Sequence, residues 1–539
     1  MVSLYVKEGD FCCLLSPVDS DDRLSEPPVN PGFSERQGVT FQGPVCLGWR
    51  LLVDDAPLDP VADSPGEWKW TPGFYAGEVD VEIRNADNKT VGRWRLDVSP
   101  DPDKASREVF QQMLDDICKY NRALAIGQEP AQRQFGTREE FYDPIIAFYR
   151  LRSRVEQIHR ALAAVNREPV QTLRPRRHLT LPHLVRRADR QSARAALRQP
   201  VLLAIAGVLP KEKVSFTQPP VVDTPAVEYH YDNPANRCLL YMLRQLQQRC
   251  SELTRKLQEN VDKENFSETE TALTPRWPVW EKVLSQLNQR LERASRRLPF
   301  RDVTRPELSA AGLNAVAAHP LYAQLWRVGW EALRRGIAGA ERMDRLPLSP
   351  TWGIYERWCF VKMSQWVKQR QLFSKMAWTD PSNTADGKHQ SLEGESGEGD
   401  RVRLQFQVTF RNTRGEKNEF WSVSRERRPD IVLDWTIGGN TGFLIFDAKY
   451  TAKDVLNKME TAHIYNDSLR MGYRRPAASI LFIPVAGGAP WLEAQDFIAE
   501  HRVGVLPLHP GLGPPQWFED WVRGIVFADT LNKPLEQTR

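Results

Sequence analysis

Two apolar segments joined by a glycine-rich turn constrain the fold of this chain more than any other feature. Residues 431–437 and 443–446 are almost entirely apolar, and they are rich in β-branched and aromatic side chains. Their length and the intervening turn predict two buried strands paired as a hairpin. Both strands carry charge at one end, because Asp430 begins the first strand while Asp447 and Lys449 end the second. This hairpin therefore combines an apolar body with a charged tip.

The charges at the tip need partners. Side chains two residues apart on a strand share one face, so Asp447 and Lys449 are expected to point the same way. The turn folds the first strand back, which brings Asp430 to the same end of the hairpin. Burying unpaired charge costs free energy, and two neighbouring carboxylates repel each other unless a cation lies between them. We therefore expect Asp430 and Asp447 to share a cation.

The ligand types indicate which cation and which chemistry. Hard divalent ions prefer carboxylate and carbonyl oxygens, so Mg²⁺ is the expected cofactor, with Mn²⁺ as an alternative. The ion would polarise a phosphodiester and lower the pKa of a water molecule, while Lys449 would orient that water or stabilise the transition state. Glu356, in an apolar part of an upstream helix, either pairs with Arg357 or another cation or faces the site, and we assign it to the site. The predicted catalytic residues are Glu356, Asp430, Asp447 and Lys449, and the predicted metal ligands are Glu356, Asp430, Asp447 and the Ala448 carbonyl.

The patterns along the 539 residues predict an α+β multidomain chain. Alternating segments between Pro, Gly and Asn turns predict a β-sandwich that serves interactions in residues 1–100. Apolar residues three and four positions apart predict a helical domain with an antiparallel helical hairpin in residues 101–345. An α/β domain is expected at 346–515, followed by a C-terminal helix and tail at 516–539. The polar, Gly/Ser-rich stretch 385–400 is expected to be a solvated loop or disordered insert.

Several motifs resemble the nuclease domain of McrC-like proteins in the PD-(D/E)XK nuclease superfamily. Pro429-Asp430, sixteen intervening residues and Asp447-Ala-Lys449 are similar to the superfamily signature, and a helix glutamate such as Glu356 is usual upstream. The other matching stretches are residues 355–360, 428–431, 446–450 and 458–467, with residues 228–237 before a long helix. The resemblance extends over about residues 105–510. It implies a restriction-endonuclease-like α/β domain, with Tyr465 and Asp467 as further supporting positions.

The resemblance also implies a function and a partner. It indicates the nuclease subunit of a prokaryotic anti-phage defence or restriction system, cleaving DNA beside an AAA+ NTPase in an oligomeric complex. The chain has no GxxxxGK[ST] P-loop, so the NTPase is expected on another chain. Two alternatives stay open: a non-catalytic adaptor or activator of an AAA+ motor, and an RNA-cleaving effector. With no apolar run of 18 residues and no secretory signal, we expect a cytoplasmic protein without membrane contact.

Basic residues are concentrated in two places, although the formal net charge is only +4. Residues 174–198 hold eight arginines and one acid, Asp189. Such a run can neutralise nucleic-acid phosphates or bind an acidic protein, and the sequence leaves both readings open. A second cluster lies directly before Asp430. The residues we predict to contact nucleic acid are Arg186, Arg187, Arg190 and Arg194 in the first cluster, and Arg425, Arg427 and Arg428 in the second.

Overall fold

The chain divides into two compact units that interleave along the sequence. The computed structural model describes residues 2–8, 11–18, 28–62, 64–127, 132–135, 144–210, 219–265, 273–334, 344–369, 373, 376–379, 390–413 and 420–527. Unit 1 comprises Met1–Tyr149, Leu257–Trp280 and Arg335–Arg539. Unit 2 comprises Arg150–Lys256 and Glu281–Arg334. The predicted domain boundaries near residues 100, 345 and 515 stay predictions, and the predicted tail at 528–539 lies outside the described residues.

The described residues form helices throughout the chain. In chain order these are α1 (Arg107–Asn121), α2 (Pro144–Arg167), α3 (Arg190–Ala196), α4 (Pro200–Ile205), α5 (Pro234–Asn265), α6 (Trp277–Ser295), α7 (Ala310–Ala317), α8 (Pro320–Leu333), α9 (Thr351–Gln369), α10 (Val455–Ser468), α11 (Gln495–His501) and α12 (Gln516–Val526). Within the described ranges, none of them combines the length and the apolar content needed to cross a membrane.

The strands alternate with these helices. In chain order they are β1 (Tyr5–Glu8), β2 (Phe11–Leu14), β3 (Asn30–Ser34), β4 (Val39–Gln42), β5 (Arg50–Val53), β6 (Ala56–Pro57), β7 (Glu67–Trp70), β8 (Gly77–Arg84), β9 (Thr90–Ser99), β10 (Gln132–Phe135), β11 (Thr172–Thr180), β12 (Val222–His230), β13 (Asp344–Pro347), β14 (Ala377–Thr379), β15 (Ser391–Glu395), β16 (Arg401–Phe406), β17 (Phe420–Ser422), β18 (Ile431–Ile437), β19 (Asn440–Ala448), β20 (Leu469–Met471), β21 (Ser479–Ile483) and β22 (Val503–Pro507). The prediction of an α+β chain is confirmed.

One sheet of unit 1 carries the predicted hairpin. Its strand order is β14-β15-β16-β18-β19-β21-β22, antiparallel as far as β19 and parallel from β19 to β22. The central strands β18, β19 and β21 are buried on both faces, which explains their uninterrupted apolar sequences. One face shares a core with α9 and α12, through residues such as Trp366 and Phe518. The other face packs against α10, where Met459 and Ala462 lie in a cluster with Leu481.

Helix α1 also packs against α9. Phe110 and Met113 of α1 belong to the same buried core as Trp358 of α9. Asp116 of α1 supplies polar contacts to this packing: its Oδ2 accepts a hydrogen bond from Trp358 Nε1 at 3.0 Å and lies 2.8 Å from Lys362 Nζ. Helix α9 is therefore buried by the sheet and by α1 together.

The first hundred residues belong to two further sheets. One has the order β2-β1-β4-β7; the other has the order β13-β10-β8-β5-β6, with β9 beside β8 and β3 beside β9. Strands β10 and β13 come from beyond residue 100, so this second sheet is completed by later parts of the chain. Both sheets contribute to one core, with Phe41 and Trp68 from the first and Val81 and Trp94 from the second.

Unit 2 combines helices with a two-stranded ribbon. Strands β11 and β12 pair antiparallel from Thr172↔His230 to Thr180↔Val222. The long helices α5 and α6 bury apolar residues at the predicted spacing, including Leu246 and Leu287. That α5 and α6 form an antiparallel hairpin stays a prediction.

The predicted insert at 385–400 is wrong over part of its length. Residues 391–395 are strand β15, which pairs with β16 in the sheet that carries the hairpin, while 385–389 lie outside the described residues. The strand is possible because Leu392 is fully buried and provides an apolar anchor in an otherwise polar stretch. Gly394 is required there by close packing, since a Cβ at this position would lie 2.7 Å from the Trp378 ring. Composition indicated a loop because a single buried leucine carries little weight in a Gly/Ser/Glu-rich window.

Candidate active site

The hairpin places two aspartates opposite each other. Strands β18 and β19 pair with Ile431 opposite Phe446, so the next position along the same register sets Asp430 opposite Asp447. Directly opposite residues of an antiparallel pair point to the same face of the sheet. The Asp430 side chain reaches the end of β19, where its Oδ2 accepts a hydrogen bond from the Ala448 backbone N–H at 2.8 Å. The structure therefore brings together the two acids that the sequence pattern singled out.

The lysine completes a compact charged group. Asp447 is 1% exposed, and its Oδ2 lies 2.5 Å from Lys449 Nζ. Burial alone would lower the pKa of Lys449, but the charges of Asp447 and Asp430 outweigh it and raise the pKa of the amine. The Lys449 ammonium is therefore held charged beside the two acids.

Asp430 is the acid most strongly affected by its surroundings. Burial raises the pKa of the Asp430 carboxyl, and the like charges of Asp447 and Glu356 raise it further. Lys449 and the Ala448 N–H oppose this rise because they favour the ionised form. The balance leaves the pKa of Asp430 well above its ordinary value, as expected for a carboxylate that lacks a full countercharge.

Helix α9 brings Glu356 to the same group. Burial raises the pKa of the Glu356 carboxyl to about 7, against the attraction of Arg357 and Lys449 and with added repulsion from Asp447. Glu356 thus interacts electrostatically with Arg357 and with the aspartate–lysine group, and its role in the site stays a prediction. Gln407 Nε2 donates a long hydrogen bond of 3.5 Å to Glu356 Oε2.

Gln407 is a site residue that the sequence analysis missed. It follows β16 with a φ of +53°, a left-handed conformation that is uncommon for a side chain other than glycine, asparagine or aspartate. Its backbone N–H donates to the Asp430 carbonyl at 2.7 Å, and its own carbonyl accepts from Arg428 Nε at 3.1 Å. Strained backbone of this kind is concentrated at functional sites. A single sequence offers no signal for it, because nothing around Gln407 reads as a turn.

The structure separates the two supporting positions on α10. Tyr465 is buried, and burial together with the charges of Asp447 and Asp430 raises the pKa of its hydroxyl. Asp467 does not join the group: its side chain is 75% exposed and its Oδ1 lies 3.5 Å from Arg475 Nη1. Two residues along a helix turn the side chain by about 200°, so Tyr465 and Asp467 cannot both face the sheet.

The predicted basic residues differ in their surroundings. Arg428 is exposed but bonded to Gln407, Arg427 is half-buried and Arg425 is exposed. In unit 2, Arg176 pairs with Glu228 at 2.6 Å, and Arg177 lies 2.8 Å from both Asp189 and Asp223. These pairs neutralise Arg176 and Arg177 of the ribbon. The exposed arginines of residues 174–198 that lie outside the ribbon are Arg186, Arg187, Arg190, Arg194 and Arg198.

The donor atoms of the group fit a hard divalent cation that shares its ligands with a substrate. Among the residues the structure describes, no three His, Cys, Asp or Glu side chains are grouped as a complete metal site. Mg²⁺ commonly binds through one or two carboxylates plus substrate phosphates, which matches a pair of buried aspartates. Asp430, Asp447 and the Ala448 carbonyl are the groups that would hold it, and Glu356 as a fourth ligand stays a prediction.

Comparison with known proteins assigns the part of the chain that carries this group. The family model of the PD-(D/E)XK nuclease superfamily matches residues 353–481. Residues 353–481 are thus similar in sequence to the domains of this superfamily. This match includes Glu356, Asp430, Asp447 and Lys449, and it confirms the predicted superfamily. A second model, of a domain of unknown function named DUF2357, matches residues 71–310, upstream of the nuclease domain.

Curated proteins and solved structures add little to the assignment of the nuclease domain. No curated protein matches the chain. A solved structure to which this chain is similar is a half-complex from a tetradecameric assembly of Thermococcus gammatolerans McrB AAA+ hexamers with bound McrC. It shares 13% identity over 87% of this chain and 84% of the matched chain, with a TM-score of 0.23. A TM-score this low does not establish a shared fold.

Proposed function

We propose that this chain is a Mg²⁺-dependent nuclease subunit that hydrolyses DNA phosphodiester bonds. The observation that carries the proposal is the packing of Asp430, Asp447 and Lys449 at one end of a buried hairpin, with Glu356 beside them. Such a charged group at the edge of an apolar core lowers the stability of the fold unless a ligand supplies countercharge. Charged groups of this kind are concentrated at functional sites. Phosphodiester hydrolysis needs the countercharge, oxygen ligands and amine that this group provides.

Each residue has a distinct part in the proposed reaction. A divalent ion, when bound, would supply a Lewis acid that polarises the phosphate and lowers the pKa of water. Asp430 and Asp447 would hold that ion, and the Ala448 N–H fixes the orientation of the Asp430 carboxylate. Lys449 places a positive charge where negative charge develops on the phosphate oxygens as water attacks phosphorus. Glu356, with a pKa of about 7, can accept or release a proton near neutral pH.

Substrate and partner are proposed on different grounds. The exposed Arg186, Arg187, Arg190 and Arg194, and the cluster at Arg425, Arg427 and Arg428, suit a polyanionic backbone. An AAA+ NTPase is the proposed partner, because the motifs resemble McrC-like proteins and the chain contains no P-loop. Membership of a restriction or anti-phage defence system belongs to the same proposal, as does assembly into an oligomer.

The decisive test is a cleavage assay on the full chain. Duplex DNA and RNA of the same sequence are incubated with Mg²⁺, with Mn²⁺ or with EDTA, each with and without an AAA+ NTPase from the same source. We expect metal-dependent DNA cleavage that Asp447→Asn abolishes while the fold is retained. The matched control is Asp434→Asn, which changes a buried aspartate on the neighbouring strand β18. Asp434 pairs with Arg403 at 3.0 Å. Cleavage of RNA alone would reassign the substrate, and equal cleavage by wild type and Asp447→Asn would refute the site.

A further inference from the structure

A buried ion pair outside the predicted catalytic group connects distant parts of unit 1. Glu35 follows β3, and its side chain is fully buried. Its Oε1 lies 3.1 Å from Lys104 Nζ, and its Oε2 accepts a hydrogen bond from Thr351 Oγ1 at 2.7 Å. Both carboxylate oxygens are thus occupied, one by the segment that follows the N-terminal sheets and one by the first residue of α9.

Lys104 extends this pair to Tyr450, which follows strand β19 and Lys449. Its Nζ lies 3.3 Å from Asp101 Oδ2 and 5.4 Å from the centre of the Tyr450 ring, a cation–π distance. Tyr450 is the residue directly after Lys449, and its ring packs against Tyr355 at 5.5 Å. The amine of Lys104 therefore bridges a buried acid and an aromatic face.

The residues that Glu35 and Lys104 contact, Thr351 and Tyr450, lie close in sequence to Glu356 and Lys449. Thr351 lies five positions before Glu356 on α9, which is less than one and a half helical turns. Its backbone N–H also donates to the Phe74 carbonyl at 2.8 Å, so the start of α9 is held by two bonds to the N-terminal region. Tyr450 adjoins Lys449 on the other side. A displacement of the Glu35 or Lys104 side chain would therefore change the positions of both Glu356 and Lys449.

We propose that Glu35 and Lys104 are positioning residues for the nuclease site, and that residues 28–104 are thereby part of the enzyme rather than a separate module. The inference rests on the proposed function. A buried ion pair contributes little net stability, because desolvation of the charges offsets their attraction, and neutral replacement of both partners is often tolerated. The value of this pair therefore lies in the geometry that it imposes on α9 and on the chain after Lys449.

The test compares neutral and conservative variants of the full chain. The variants are Lys104→Met, the double variant Glu35→Gln with Lys104→Met, and Lys104→Arg. The control is Arg93→Gln, which removes an exposed arginine that pairs with Glu82 on the same N-terminal sheet. Single-turnover DNA cleavage, DNA affinity and Tm are measured for each. We expect the double variant to cleave about 10- to 100-fold more slowly with unchanged DNA affinity and Tm, and Lys104→Arg to recover most of the rate.

Hydrogen exchange provides a readout that does not depend on cleavage. The Thr351 amide donates to the Phe74 carbonyl, and the Lys449 amide donates to the Phe482 carbonyl. In Lys104→Met both amides should exchange faster with solvent. The amides of β21 and β22 should keep their wild-type exchange rates. Unchanged exchange at both amides overturns the positioning role. Wild-type cleavage in the double variant overturns it too and leaves the proposed function standing. A wild-type chain that cleaves nothing removes the proposed function and this inference with it.

Discussion

Asp430 Oδ2 and the backbone N–H of Ala448 are joined by a hydrogen bond of 2.8 Å. This bond crosses from the start of β18 to the end of β19, so the acid is oriented by the backbone of the strand that carries Asp447 and Lys449. The arrangement keeps two like charges close together although burial and mutual repulsion oppose it.

Replacing Asp430 with asparagine should separate stability from activity. The amide oxygen can still accept the Ala448 hydrogen bond, while the charge that repels Asp447 is gone. We expect the free energy of unfolding to rise by about 1 kcal/mol and cleavage to fall by at least about 100-fold. Urea denaturation and a DNA cleavage assay measure the two effects. A variant that is less stable than wild type and still active would contradict this account of the site.

The stability of the protein should depend on the ionisation of Glu356. Burial raises the folded-state pKa of this carboxyl to about 7, above its ordinary value of 4.5. The folded state therefore binds the proton more tightly, so this carboxyl should lower the free energy of unfolding as pH rises from about 4.5 to about 7, by up to about 3 kcal/mol. Glu356→Gln should flatten that part of the profile. Urea midpoints across this pH range, compared between wild type and variant, check the sign; a midpoint that rises with pH through Glu356 would disprove it.

A divalent ion should stabilise the folded chain through the two aspartates. If Mg²⁺ binds the folded state alone, a concentration of 100 times its Kd adds about 2.7 kcal/mol to the free energy of unfolding. We expect Mg²⁺ to raise the Tm of wild type and of Asp434→Asn, but not that of Asp447→Asn. Calorimetric titration without nucleic acid gives an independent measure of the same binding. Equal Mg²⁺ shifts in all three proteins would place the ion elsewhere.

The exposed arginines of unit 2 should contribute to DNA affinity through charge alone. Each phosphate contact changes the slope of log K against log salt by about 0.9, so Arg186→Gln with Arg187→Gln should reduce the slope by about 2. Arg176→Gln is the matched control, since Arg176 is already paired with Glu228. Binding of a duplex at several salt concentrations provides the slopes. If the double variant keeps the wild-type slope, this surface is better assigned to an acidic protein partner.

The parts of the fold that were predictable are those specified by local pattern. The hairpin of β18 and β19 follows from two apolar runs and a turn, and the two-residue spacing of Asp447 and Lys449 fixes their common face. A helix carrying Glu356 upstream of the hairpin was also expected, and this helix is α9 (Thr351–Gln369). The superfamily motif added the supporting positions Tyr465 and Asp467, which local pattern does not single out.

The features that the sequence did not predict depend on contacts between distant residues. Strand β15 was hidden by its composition, because its pairing with β16 and the anchor at Leu392 outweigh local propensity. Gln407 is held in its unusual conformation by Asp430 and Arg428, neither of which is near it in sequence. Asp467 was grouped with Tyr465 because a motif records neighbours along the chain and not the direction of a side chain around a helix.

The burial of α9 by α1 limits how this protein can be divided for study. A fragment that starts at residue 346 would lose Asp116 and the apolar side chains of α1, and it would expose the surface around Trp358 to water. Such a fragment should aggregate or misfold whatever the state of its catalytic residues, so its inactivity would say nothing about the chemistry. A shortened version that keeps the enzyme intact must instead retain the N-terminal region, α1 and the segment Leu257–Trp280, which also belongs to unit 1.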